Sequence, residues 1–304
     1  MGNTEIDVVT GAFGYTGKYI ARRLLSIGKT VKTLTWHPER SERNQQIQAL
    51  PFNFDKPERL KESLSGATTL YNTYWVRFLR GDITYETAVE NTKVLIRAAK
   101  EAGIKKFVHI SITNCSEDSP LPYFRGKALV EKAIVGSDLS YAIIRPAVIF
   151  GKEDILINNI AWLLRKFPVF AVLGSGEYRI RPVFVEDVAE IAVDAAREER
   201  NKIIDAVGPE TYTFNALVRL IAGIVGSSAR IIHTPPSLAY ILSRLISIAV
   251  GDVLLTRDEV TGLMANLLVT DGPSTGATRL SDWLRQNAAS VGTSYSSELK
   301  RHYR

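Results

Sequence analysis

In Tyr123-Phe124-Arg125-Gly126-Lys127 a phenol and an ammonium stand four residues apart, so on a helix they share one face, one turn apart. A cation beside a phenol stabilises the phenolate and lowers its pKa towards the working range, which suits proton transfer at a carbonyl or alcohol oxygen. Ser111, at the end of a strand pattern, could hold the same oxygen. Ser111, Tyr123 and Lys127 are therefore the candidate catalytic set. An exposed helix face is the plain alternative for the pair.

A second constellation lies near the start, in Gly11-Ala12-Phe13-Gly14-Tyr15-Thr16-Gly17. Each glycine has its own mechanical reason: one permits a tight turn, one lets backbone approach a pyrophosphate, and one lets helix and strand pack closely. The loop follows an apolar strand and opens an apolar-faced helix, so amide donors and the helix dipole converge on phosphate. Gly11, Phe13, Gly14, Tyr15, Thr16 and Gly17 are the candidate dinucleotide-binding residues. The end of the second strand reads Thr35-Trp36-His37-Pro38-Glu39-Arg40. Its first acid follows a proline, whereas His37 and Arg40 could both face a 2′-phosphate, so the expected cofactor is NADP, with NAD the alternative.

These residues need a scaffold, and the chain supplies one by alternation. Strands are expected at Ile6 to Thr10, Val31 to Trp36, Phe52 to Phe54 (ending on Asp55), Thr68 to Tyr71, Lys106 to Ser111 and Ser140 to Arg145. Helical runs follow Gly17, then come near Arg40 to Gln48, Leu60 to Leu64, Tyr85 to Ala102 and Tyr123 to Val135. Such an order implies an α/β fold, a doubly wound parallel sheet covered on both faces. Pro146 and Gly151 break the pattern, which divides the chain into a dinucleotide-binding domain at 1–150 and a sheet extension with a substrate-binding lobe at 151–304. That lobe is smaller and mostly helical. The apolar stretch Leu238 to Leu255 is interrupted by Arg244 and Asp252, which favours a packed helix over a membrane span. Contact with a membrane or greasy ligand is its minor reading.

Composition bounds the remaining choices. Of 304 residues 45% are hydrophobic and 23% charged, as in an ordinary globular chain. The net charge of +6 is spread along the sequence and forms no basic stripe, so nucleic acid is not an expected partner. Cys115 is the one cysteine, which excludes an intrachain disulfide and suits a reducing compartment. The four histidines, His37, His109, His233 and His302, are too scattered for a metal set. No basic start or apolar run marks a leader, and a cytoplasmic location is expected. Trp75 could wall the cofactor cleft or be a core aromatic.

Taken together, the glycine loop, Ser111, Tyr123-x-x-x-Lys127 and Arg145-Pro146-Ala147-Val148-Ile149-Phe150-Gly151 resemble the short-chain dehydrogenase/reductase superfamily in its extended and atypical branches. Gly151-Lys152-Glu153-Asp154, Arg181 to Ala189 and Val207-Gly208-Pro209 are similar to the NmrA-like group. They resemble especially relatives of the nucleotide-binding accessory subunit of respiratory complex I, a likeness that Thr256-Arg257-Asp258-Glu259-Val260 strengthens. The resemblance implies Asp55 near the adenine, Asn91 supporting the sheet beside the cofactor, and Pro146 flanking the nicotinamide. It also implies Ser111, Tyr123 and Lys127 as the catalytic trio. Two positions depart from the pattern: Trp36 stands where many NADP-binding relatives carry arginine, and Thr113 is an alternative source of the hydroxyl.

The leading functional expectation is an NADP(H)-dependent oxidoreductase acting on a small, apolar carbonyl, enone or quinone-like molecule. Its pocket would be lined by Ile155, Leu156, Ile157, Ile160, Trp162, Leu163, Leu238, Tyr240, Ile241 and Leu242. A non-catalytic NADP(H)-binding sensor or assembly subunit is the alternative, since the fold does not settle activity. A nucleotide-sugar epimerase or dehydratase is a further one. The sequence leaves the oligomeric state open.

Overall fold

The computed structural model describes residues 5–39, 46–77, 83–235 and 256–297. The chain divides into two compact units, one of residues 1–146 and 186–205, the other of 147–185 and 206–304.

The first unit is built on β1 (Ile6–Thr10), β2 (Thr30–Thr35), β3 (Ile47–Pro51), β4 (Ala67–Asn72), β5 (Lys106–Ile110) and β6 (Tyr141–Pro146), with β11 (Lys202–Ala206) completing a seven-stranded sheet. Its order is β11-β6-β5-β4-β1-β2-β3, and the pairings from β3 through to β6 are parallel. The central strands are apolar almost throughout because both faces are covered: Val8, Val9, Leu70, Phe107, Val108, Ile143 and Ile144 are all buried. The covering helices are α1 (Tyr15–Ser26), α2 (Pro57–Leu64), α3 (Tyr85–Glu101), α4 (Pro122–Val135) and α6 (Val185–Ala196). Thr84 starts α3 by accepting the Thr87 N–H at 3.1 Å. The sheet order changes direction between β1 and β4, the place where ligands of such sheets bind, outside the strand ends.

In the first unit the third strand departs from the sequence reading. The third strand is Ile47–Pro51, where the last residues of a polar helix were expected, and Phe52 to Asp55 lies beyond it. Phe52 and Phe54 are buried because their rings stack at 4.8 Å and both meet Tyr74 at 5.1 Å, not because they alternate in a sheet. Asn53 between them has φ of 49°, which ends any extended run.

The second unit holds β7 (Val148–Phe150), β8 (Val169–Leu173), β9 (Arg179–Ile180), β10 (Pro182–Phe184), β12 (Tyr212–Thr213) and β13 (Arg230–Thr234), paired two by two. It also holds α5 (Leu156–Lys166), α7 (Phe214–Ile224), α8 (Arg257–Met264) and α9 (Leu280–Gln286). Thr256 and Glu259 form a reciprocal capping box at the start of α8. Ile157 and Ile160, expected to line a ligand pocket, pack in this unit's own core with Leu217, Ile221 and Trp283. An apolar helix face signals burial, and a neighbouring helix satisfies it as well as a ligand does. Leu238 to Leu242 lie outside the described residues. Among the described residues, no helix is long and apolar enough to cross a membrane, and no group of His, Cys, Asp or Glu could hold a metal.

Candidate functional site

At the end of β1 the chain turns on Gly11, whose φ of +65° is the left-handed region that only glycine enters freely. Gly11 N–H donates to Leu34 C=O at 2.8 Å, and Gly14 N–H donates to Gly11 C=O at 2.8 Å. A Cβ on Gly17 would come within 2.3 Å of the Gly11 oxygen, so α1 packs against the turn at a distance only glycine allows. Gly14 precedes α1 without a side-chain cap, and the first turn carries no acid. The first amides of α1 therefore have no side-chain competitor from their own cap, which is the cradle a pyrophosphate fits. Phe13, Tyr15 and Thr16 are half-buried on the same turn. Thr33 braces the loop by donating to Val9 C=O at 2.7 Å and accepting the Ala12 N–H at 3.0 Å. Thr10 does the same for the turn after β4, accepting the N–H groups of Thr73 (2.7 Å) and Tyr74 (2.9 Å). Neither threonine stood out in the sequence, although a hydroxyl in the apolar runs of β1 and β2 was the available signal.

At the end of β2, His37 does not stand ready for a phosphate on its own: its Nδ1 donates to the Glu39 carboxylate at 3.1 Å. Arg40 lies outside the described residues. Trp36 is 60% exposed, its ring resting on Phe52 (5.1 Å) and Phe54 (5.7 Å). Asp55 is exposed next to Lys56 on the turn after β3. Asn91 on α3 donates to the Tyr74 hydroxyl at 2.9 Å, which steadies that aromatic group.

The helix α4 presents Tyr123, Lys127 and Glu131 at successive turns. Lys127 is buried; its Nζ donates to Ile110 C=O at 2.8 Å and stands 4.5 Å from the centroid of the Trp75 ring. Burial pushes its pKa down to about 7 against the weaker opposing pull of Cys115 and Glu131. Tyr123 is half-buried and sets its ring edge-on to Trp75 at 5.9 Å. Tyr123 and Lys127 thus both meet one indole.

Ser111 takes a different direction. Its hydroxyl donates to the buried Glu131 carboxylate, which also receives the guanidinium of Arg145, with Nε at 3.0 and 3.1 Å, and the Cys115 thiol at 3.1 Å. Burial and the neighbouring Glu131 push the Cys115 thiol up to about 12, so it stays protonated and is a poor nucleophile. Thr113, the alternative hydroxyl, is fully buried. Pro146 is buried and its carbonyl accepts the Thr113 N–H at 3.1 Å. Glu131 carried no signal of its own in the sequence, and Arg145 entered only as the start of the Arg145 to Gly151 motif; their pairing joins α4 to β6 and is invisible in either segment. Below this cluster Asn72 donates to His109 Nδ1 at 3.1 Å, and the fully buried imidazole is held well below its ordinary pKa by desolvation and by Lys127.

Residues 11–159 match the family described as NAD(P)H-binding. The kinship read from the motifs is borne out by relatives along most of the chain. Subunit 9 of the NADH dehydrogenase [ubiquinone] 1 alpha subcomplex of Arabidopsis thaliana is 24% identical over 88% of this chain and 71% of its own length. A photosystem II assembly factor of Cyanidium caldarium is 24% identical over 78% of this chain and 77% of its own. The same fold is seen in an NADPH-dependent quinone oxidoreductase of Escherichia coli solved with NADPH: TM-score 0.74, 18% identity, 93% of this chain and 98% of that one covered. The glycine turn after β1 and the Lys127 ammonium, which donates to Ile110 at the end of β5, stand at strand ends of one sheet.

Proposed function

We propose that this chain holds NAD(P)H as a dinucleotide-binding subunit or sensor whose Tyr123 and Lys127 serve to bind the cofactor and not to turn over a substrate. The carrying observation is the direction of the Ser111 hydroxyl, which donates to Glu131 within a buried, Arg145-paired cluster. A hydroxyl that stabilises a substrate oxygen has to reach it at hydrogen-bond distance, and here it is bound to a carboxylate, the stronger acceptor. Two relatives are named as a subunit of a larger assembly and as an assembly factor, which supports a protein partner for this chain. Bound NAD(P)H carries a hydride, and its redox state would be the signal read.

The second reading is reduction of an apolar carbonyl, enone or quinone-like molecule. It is favoured by one feature, an ammonium with a pKa of about 7 on the same helix face as Tyr123. Cytoplasmic placement is retained as part of both readings.

Titration with NADPH and NADH, followed by an NADPH oxidation assay against apolar carbonyls, quinones and nucleotide sugars, separates the readings. Because Glu39 engages His37, NADPH should exceed NADH in affinity by less than about tenfold, a margin of roughly 1.4 kcal/mol. Binding should persist in Ser111→Ala, and no panel member should be turned over. Brisk turnover that Tyr123→Phe abolishes would overturn the subunit reading, since loss of a general acid costs about a hundredfold or more.

A further inference from the structure

We infer that Trp75 is the positioning residue of the dinucleotide site, its indole face fixing where the Lys127 ammonium and the Tyr123 ring stand. The inference rests on the NAD(P)H-holding reading above. Three residues of α4 meet this one ring. Lys127 Nζ lies 4.5 Å from the indole centroid, Tyr123 stands edge-on at 5.9 Å, and a Cβ on Gly126 would come within 2.9 Å of the indole Cη2. The glycine between Tyr123 and Lys127 is therefore what admits the ring against the helix. Tyr85 stacks on Trp75 at 6.2 Å with planes 14° apart and also meets Tyr123 at 5.8 Å. Its hydroxyl donates to Arg77 C=O at 2.9 Å, which anchors the far side of the group.

The chemistry of the arrangement explains why an aromatic ring is needed. A buried ammonium loses its hydration and here regains one carbonyl, that of Ile110, at 2.8 Å. The electron-rich face of an indole supplies the rest without offering an acceptor that would fix the proton for good. Among the described residues the titratable groups coupled to the Lys127 charge include Glu131 from α4, Cys115 from the turn after β5 and His109 from β5, and the Tyr123 phenol meets the same indole. Of these Cys115 and His109 are held in their neutral forms by burial. Proton loss from Lys127 removes a positive charge from a site that receives an anionic dinucleotide, so affinity should fall as pH rises. Losing the ring changes both the cation's partner and its access to water, and so displaces that pH profile.

The test follows NADH affinity from about pH 6.5 to about pH 9, a range in which the ligand itself does not titrate, together with the Lys127 ε-methylene NMR shift in dinucleotide-free protein. Wild type should lose roughly tenfold in affinity across this range, Lys127→Arg should be flat, and the ε-methylene protons should be moved upfield by the ring beneath them. Trp75→Leu should move the midpoint by about half a pH unit or more, the size expected of a cation–π contact, and abolish the upfield shift. Trp75→Phe should restore most of both. Gly126→Ala, which pushes a methyl into the indole, should act like Trp75→Leu without removing the ring. A folded Trp75→Leu protein with wild-type midpoint and wild-type methylene shift overturns the inference. If Trp75→Leu does not fold, a wild-type methylene shift without an upfield displacement overturns it equally. Absence of NADH binding in wild type would count against the dinucleotide reading, while the methylene shift still decides the Trp75 contact.

Discussion

A hydroxyl that serves structure and one that serves chemistry leave different marks on stability. Ser111 donates to a buried carboxylate, a bond of the charge-assisted kind, so Ser111→Ala should cost about 1.5–3 kcal/mol. Glu131→Ala should cost more. It leaves the Arg145 guanidinium without its carboxylate, and breaking a buried pair costs about 3–5 kcal/mol, a figure to be lowered to about 2–4 because the Arg145 side chain is 28% exposed. Urea unfolding of the two variants checks the order. An Ser111→Ala protein as stable as wild type or more stable would show the hydroxyl held at a cost to the fold, as catalytic groups are, and would return Ser111 to the catalytic set.

At the scale of elements, the glycine turn is the part that tolerates least. A methyl on Gly17 would lie 2.3 Å from the Gly11 oxygen, which is backbone and cannot swing aside. Gly17→Ala should therefore lift α1 from the turn, cost about 1–3 kcal/mol as overpacking does, and weaken NADPH binding at least about tenfold. Thermal unfolding with and without NADPH checks both effects, and unchanged affinity would mean that the α1 amides do not carry the phosphates. This turn was legible in the sequence because its glycines, the strand before it and the helix after it agree, as they do for β1, α3 and α4. The third strand was not, since Ile47–Pro51 is short and half-exposed at the sheet edge while Phe52 and Phe54 offer a louder apolar signal. Two-residue strands such as β9 and β12 exist only through their pairing, Tyr212 with Ile180 and Thr213 with Arg179, and pairing is invisible in one segment. At the site, the helical spacing of Tyr123 and Lys127 was readable; the turn of Ser111 towards Glu131 depends on a contact across twenty residues and was not.

For the whole molecule two buried groups, one in each unit, have linkages to pH of opposite sign. Lys127 in the first unit has its pKa pushed from 10.5 to about 7 by burial, so between those values the unfolded chain binds more protons than the folded one. Stability contributed by this group is present above 10.5 and is lost as pH falls through about 7. Asp154 in the second unit is pushed from 3.8 to about 7 by burial, although its carboxylate accepts the Ile157 N–H at 2.7 Å and the Asn158 amide at 2.9 Å. Here the folded state holds the extra proton, so the contribution is present below 3.8 and is lost as pH rises through about 7. These two groups contribute least near neutrality, while the buried His109, held well below its ordinary pKa, opposes Asp154 by losing stability as pH falls below the ordinary imidazole range. Asp154→Asn removes the titration but turns its amide NH2 towards the Asn158 and Gly151 donors, which only a carboxylate oxygen can accept, so it should lower Tm at pH 7, by about 1–3 kcal/mol of lost hydrogen bonding, while flattening its share of the acid limb. Lys127→Met should flatten the alkaline limb alone. Melting curves of both variants at intervals of about one pH unit test the assignment, and an Asp154→Asn protein whose acid limb matches wild type would mean that Asp154 is already charged throughout that range.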